Sequence, residues 1–144
     1  MRRPISTKTH GVIDYALWVT TVGALPKMMK GATETASLVR SAGTAASVNA
    51  MITNYEGGLV RVMPMKGHLA LDMVVCTALV LSPFFLPAAE RRYAFIPMAL
   101  GAIGLLTGLM TETESPAERG SWVPSRDWSE AVADPDLDPD HPRT

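Results

Sequence analysis

LALDMVVCTALVLSPFFLPAA, residues 69–89, carries a single charge, Asp72. As a helix of about 20 residues at 1.5 Å per residue it reaches roughly 30 Å, the thickness of a bilayer's hydrocarbon core. The next run, YAFIPMALGAIGLLTGLM (93–110), has no charge. It also lacks a polar face over its first two-thirds, which a surface helix of a water-soluble domain would show. Two such runs in series predict an all-α membrane protein. The competing reading is a four-helix bundle in water with two buried helices. Working outward, GVIDYALWVTTVGALPKMM (11–29) is a third span with one early charge. ETASLVRSAGTAASVNAMITN (34–54) is a weak fourth, rich in small residues and carrying Arg40. It spans only if small side chains let it pack closely on its neighbours, and Arg40 either marks a helix that begins later than residue 34 or makes an ion pair inside the bundle.

The expected architecture is therefore four transmembrane helices over residues 1–114, followed by a flexible tail, 115–144. Residues 1–114 hold ten Lys or Arg against seven Asp or Glu, a net of +3, and the tail holds three against seven, a net of −4. Pro- and Asp-rich segments of this kind do not bury a core of their own. In the tail, Trp122 and Trp128 are candidates to rest on the membrane or the bundle. His141 with Asp138 and Asp140 is a weak candidate metal group. Arg and Lys placement favours the cell (inner) membrane with both termini cytoplasmic. Trp18 and Tyr55 read as interface residues. The lipid bilayer is then the expected partner, a homo-oligomer or partner membrane protein stays open, and nothing points to nucleic acid. The N-terminus lacks a small-residue cleavage site and reads as mature. Cys76 is the single cysteine, so no internal disulfide is expected.

The chain repeats at an offset of 58 residues. His10 matches His68, Asp14 matches Asp72, Lys8 matches Lys66, and Gly43 matches Gly101. Thr53 matches Thr111, Glu56 matches Glu114, and Asn49 matches Thr107, polar for polar. Each unit reads H-x-x-x-D, apolar span, turn, small-residue span, T-x-x-E. The units are repeat one, 4–58, and repeat two, 62–116. Two spans per unit predict two parallel two-helix repeats.

The combination of STKTHGVIDY, TNYEGGLVRVMPMKGHLALD and LSPFF resembles the SPW-repeat family of small membrane proteins over roughly residues 4–115. The resemblance implies four transmembrane helices in two repeats and no established activity. The namesake motif departs here: the second copy reads Ser82-Pro83-Phe84, and the first is reduced to Leu25-Pro26.

His10–Asp14 and His68–Asp72 each sit at i, i+4, on one helical face. Asn49, Thr53 and Glu56 follow i, i+4, i+7, as do Thr107, Thr111 and Glu114. The first pairs open spans one and three and the second groups close spans two and four, so all ten residues are expected at one end of the bundle. Three functions fit such a cluster. The first is a structural or accessory membrane protein whose polar residues tie helix ends together. The second is a proton- or ion-responsive protein, carrier-like, since ionisable groups facing a bundle interior are candidate functional sites. The third is a metal-binding membrane enzyme with ligands drawn from His10, Asp14, Glu56, His68, Asp72 and Glu114. The Glu-x-x-His signature of di-metal carboxylate bundles is absent. No nucleophile–base pair, phosphate loop or nucleotide fingerprint supports catalysis, and no cofactor is predicted. Gly101, Gly104 and Gly108 point to close helix packing.

Overall fold

The computed structural model describes residues 3–120. Trp122, Trp128 and the Asp138, Asp140, His141 group lie outside them. Helix α1 (Thr7–Val19) runs through a π-turn (Thr20–Ala24) into the short α2 (Leu25–Met28), and α3 (Thr33–Met51) packs back on both. After a loop, α4 (Met65–Val80) leads through 3₁₀ turns at Ser82–Phe84 and Ala88–Tyr93 into α5 (Phe95–Met110). The long helices form a four-helix bundle, with the most extensive packing between α4 and α5.

The membrane reading does not survive. No helix among the described residues is long and apolar enough to cross a membrane. That overturns the four transmembrane spans and the placement in the cell membrane with cytoplasmic termini. Each expected span fails for a local reason. Residues 69–89 are cut at Val80, where Pro83 enters a 3₁₀ turn in place of a further α-turn. Residues 93–110 begin in a 3₁₀ turn, so α5 keeps 16 residues. A 16-residue helix is about 24 Å long, short of a roughly 30 Å hydrocarbon core. The 11–29 run is interrupted at Thr20–Ala24. There the Thr20 and Thr21 hydroxyls donate to the Ala16 and Leu17 carbonyls (2.8 and 2.7 Å), and Pro26 has no N–H to continue the ladder. The 34–54 run is one 19-residue helix from Thr33, not one that starts late, and its Arg40 sits exposed. Tyr55 is buried rather than interfacial.

Helix starts are capped from unexpected places. Ser6 caps α1 by accepting from the Thr9 N–H (3.2 Å). Helix α3 has no cap of its own. Instead the Glu90 carboxylate, buried before α5, accepts from the Glu34 and Thr35 N–H groups (3.2 and 2.8 Å) and from the Thr35 hydroxyl (2.9 Å). These bonds, the Thr35 N–H first, hold Glu90 below its ordinary range. Pro64 gives α4 no side-chain cap, and the Met65 N–H donates to Glu118 (3.0 Å).

Two backbone pairings lock the helix ends that carry His10, His68, Thr53 and Thr111. Ile5 bridges Thr111, and Met63 bridges Thr53. The Ile5 N–H donates to Met110 and the Glu112 N–H to Ile5; the Met63 N–H donates to Ile52 and the Asn54 N–H to Met63. Every residue in one set lies 58 positions from its counterpart in the other. Each bridge ties the start of a His-bearing helix to the end of a Thr-bearing one. Apolar clusters sit to either side, Ala50, Tyr55, Met65 and Leu69 near the bridges and Met29, Ala32 and Val39 at the far end.

Glycines set the closest approaches. A Cβ at Gly101 would press on the Cys76 carbonyl and on Leu79, and one at Gly43 would press on Thr21. Thr21 and Leu79 are themselves 58 residues apart. At Gly101 the obstacle is backbone that cannot rotate away. Gly101→Ala is therefore expected to cost about 1–3 kcal/mol in thermal unfolding, whereas Gly23→Ala, which faces open space, is expected to be neutral or slightly stabilising. Glu90→Gln is expected to lower the urea midpoint at pH 7. Because the folded-state pKa of Glu90 is depressed, its contribution is present above the ordinary 4.5 and fades as pH falls below it. The gap between variant and parent should therefore narrow towards pH 3.5.

Candidate functional site

Four residues meet at the bridged end of the bundle: His10 and Asp14 from α1, His68 and Asp72 from α4. All four are buried, with exposures of 2, 8, 1 and 7 % respectively. The Nε2 atoms of the two histidines are 3.2 Å apart. Asp72 Oδ2 lies 2.9 Å from His68 Nε2 and 3.3 Å from His10 Nε2. Asp14 Oδ2 lies 3.2 Å from His68 Nε2 and 3.5 Å from His10 Nε2. One donor atom from each residue can be chosen so that all four fall within 4.8 Å of one another. The i, i+4 spacing on two helices supplies one histidine and one aspartate each, and the interlocked helix starts bring the two pairs face to face.

The outer hydrogen bonds orient the rings. Thr53 Oγ1 donates to the Asn49 carbonyl (2.6 Å) and lies 3.0 Å from His68 Nδ1. Thr111 Oγ1 donates to the Thr107 carbonyl (2.7 Å) and lies 2.8 Å from His10 Nδ1. A hydroxyl has one hydrogen. Having given it to a carbonyl, each threonine can only accept from its histidine. Both Nδ1 atoms therefore carry hydrogen, and in a neutral ring both Nε2 lone pairs point inward. Each threonine serves the histidine of the other half of the chain.

The second ring of contacts is unequal. Asn49 Nδ2 donates to Asp72 Oδ1 (2.9 Å) and to the His68 carbonyl (3.1 Å). Its counterpart Thr107 has a shorter side chain and makes no such bond to Asp14 among the described residues. Asp14 Oδ2 is buried and accepts no hydrogen bond there. Against His10, both aspartates and Thr107 opens a cavity of about 60 Å³ that Cys76 and Gly104 also line, and its walls beyond are apolar apart from Thr21.

Burial alone would lower His68 and raise Asp72. The neighbouring groups outweigh it in both: the Asp14 and Asp72 carboxylates hold His68 up to about 9, and His10, His68 and Asn49 hold Asp72 down to about 2. Burial, and then the two nearby carboxylates, push the Cys76 thiol up to about 11, so it is a neutral wall of the cavity rather than a thiolate.

Of the ten residues singled out in the sequence, eight belong to this assembly. His10, Asp14, His68 and Asp72 form the centre. Asn49, Thr53 and Thr111 hold them, and Thr107 accepts from Thr111 and lines the cavity. Glu56 and Glu114 stand apart. Glu56 accepts from the Thr7 hydroxyl (2.8 Å), and Glu114 pairs with Lys66 (2.7 Å) on the exposed surface. The hydrogen bond between them raises Lys66 and lowers Glu114. The six expected metal ligands thus reduce to four. Thr7, which buries against Glu56, carried no signal in the sequence, nor did the Glu90 cap; Cys76 was legible only as the next turn of the His68–Asp72 face.

No family model, no curated protein and no solved structure matches this chain.

Proposed function

We propose that the chain is a metal-binding helical bundle whose His10, Asp14, His68 and Asp72 hold one divalent transition-metal ion of the zinc class. A single observation carries the reading: two imidazole nitrogens and two carboxylate oxygens, one from each of four buried residues, lie within 4.8 Å of one another. Two carboxylates brought out of water cost several kcal/mol each unless compensated. One divalent cation balances both while leaving the two imidazoles neutral.

The distances support the same ion. Zinc-class ligands sit about 2.0–2.2 Å from the metal, which at tetrahedral angles places donors about 3.3–3.6 Å apart. Here five of the six donor separations run from 2.9 to 3.5 Å. The threonine hydroxyls that orient both rings are the outer contacts expected around metal-bound histidines. Mixed nitrogen and oxygen donors suit zinc, cobalt, nickel or iron(II) better than calcium or magnesium, which take oxygen alone. Two protonated imidazoles would also balance the charge, but would aim two N–H groups at each other across 3.2 Å. The purely structural role expected from the sequence becomes, in this reading, the work of the ion: it clamps α1 to α4.

Full-length protein purified without chelator is expected to carry about one equivalent of metal by elemental analysis. Metal at about 1,000 times Kd adds about 4 kcal/mol of stability, a rise in melting temperature of roughly 10–20 °C. His68→Ala should abolish that rise while the metal-free melting curve still shows a cooperative transition. Absence of bound metal, together with a melting temperature indifferent to zinc, cobalt, nickel and iron(II), would refute the reading.

A further inference from the structure

The two carboxylates of the centre are not equivalent, although the sequence repeat makes them counterparts. Asp72 is pinned from outside by Asn49 Nδ2 at 2.9 Å. Asp14 has Thr107 in the matching place, with no amide to pin it; both aspartates border the cavity of about 60 Å³, which Thr107 lines and Asn49 does not. The asparagine-to-threonine difference removes a side-chain amide on the Asp14 side and leaves space there. A carboxylate held by the ion alone can be displaced at the cost of one bond, whereas displacing Asp72 also breaks its amide contact.

Resting on the metal reading above, we infer that Asp14 is the exchangeable ligand of the centre and that a small neutral molecule H–X reaches the ion through the cavity. The walls choose its class. They are almost wholly apolar, so a charged ligand would shed its hydration with nothing to replace it, while a neutral acid of two to four atoms fits. In the exchange the ion–Asp14 Oδ2 bond breaks and an ion–X bond forms. The proton of H–X passes to the freed Asp14 carboxylate. No oxidant, reductant or further reactant enters, and the net charge of the site is unchanged. Water belongs to the same class of ligand. Asp14 is then both leaving ligand and proton acceptor, and Asp72 is a fixed ligand throughout.

Cobalt(II) makes the exchange visible, because its d–d bands report the ligand set. The probe is cyanide, which at neutral pH is the small acid HCN. Full-length cobalt-loaded protein is expected to show tetrahedral bands that shift on titration with cyanide. Thr107→Asn restores an amide beside Asp14 and partly fills the cavity. It should keep the cobalt bands and weaken the cyanide response by at least about tenfold, the scale on which outer-shell partners act. Asp14→Asn should weaken cobalt binding clearly less than Asp72→Asn does, since Asp14 is held by the ion alone and Asp72 by Asn49 as well. Should Thr107→Asn fail to fold by circular dichroism, the ordering of the two aspartate variants decides alone. Cobalt bands that ignore cyanide in the parent protein, an equal response in Thr107→Asn, or equal cobalt loss in the two aspartate variants would overturn this inference and leave the metal site standing. A folded parent protein that takes up no cobalt overturns both.

Discussion

A threonine hydroxyl owns one hydrogen, and the interior of this bundle follows from where that hydrogen goes. Thr53 and Thr111 each give it to a carbonyl one turn back on their own helix. Each must then accept from a histidine, whose second nitrogen turns to the bundle axis. From there the arrangement is forced. The aspartates one turn along α1 and α4 bring negative charge to the same point, and burial keeps water from screening it. The paired backbone bridges at Thr53 and Thr111 keep the hydroxyls in register with the rings.

The distribution of polarity is the reverse of an ordinary water-facing bundle. Side chains sealed inside include His10, Asp14, Asn49, Thr53, His68 and Asp72, while Val74, Phe84, Phe85, Phe95 and Leu109 are each at least 63 % exposed. Apolar burial gathers in two small clusters at either end of the bundle, with Leu79, Leu86 and Ala94 buried besides. Much of what holds the helices in place is therefore directional, through hydrogen bonds, capping carboxylates and glycine contacts. Directional contacts are specific, and each is costly when one partner is lost. Small changes at Gly101, Glu90 or the threonines reach further here than similar changes would in a bundle held by a continuous apolar core.

The sequence disclosed the site better than it disclosed the class of protein. The i, i+4 spacing in His10–Asp14 and His68–Asp72 encodes a shared helical face. The offset of 58 says that two such faces exist, and threonines placed one turn after Asn49 and Thr107 mark the opposing helix ends. These are local regularities, and local regularity is readable. Run length misled because hydropathy does not register where a helix stops. Pro83 ends α4 inside an unbroken apolar run, and Thr20, Thr21 and Pro26 reshape α1 without a charge to announce it. The long-range choices were beyond reach for a different reason. Glu56 and Glu114 share the register of the cluster, yet they turn to Thr7 and Lys66. Nothing in their spacing says which of several neighbours a carboxylate selects once the chain is folded.

The reciprocal bridges and the crossed threonine–histidine bonds have a meaning in the language of assemblies. Residue i of one half touches residue j of the other, and the counterpart of j touches the counterpart of i. This is the isologous contact of a two-fold homodimer, written into one polypeptide with the loop from 55 to 62 as its tether. The centre is therefore owned by neither half; it is an interface between two halves of one chain. Covalent linkage frees the halves from having to remain identical. Threonine at 107, where its counterpart 49 is asparagine, is such a departure: one aspartate of the pair is held by an amide and the other is not.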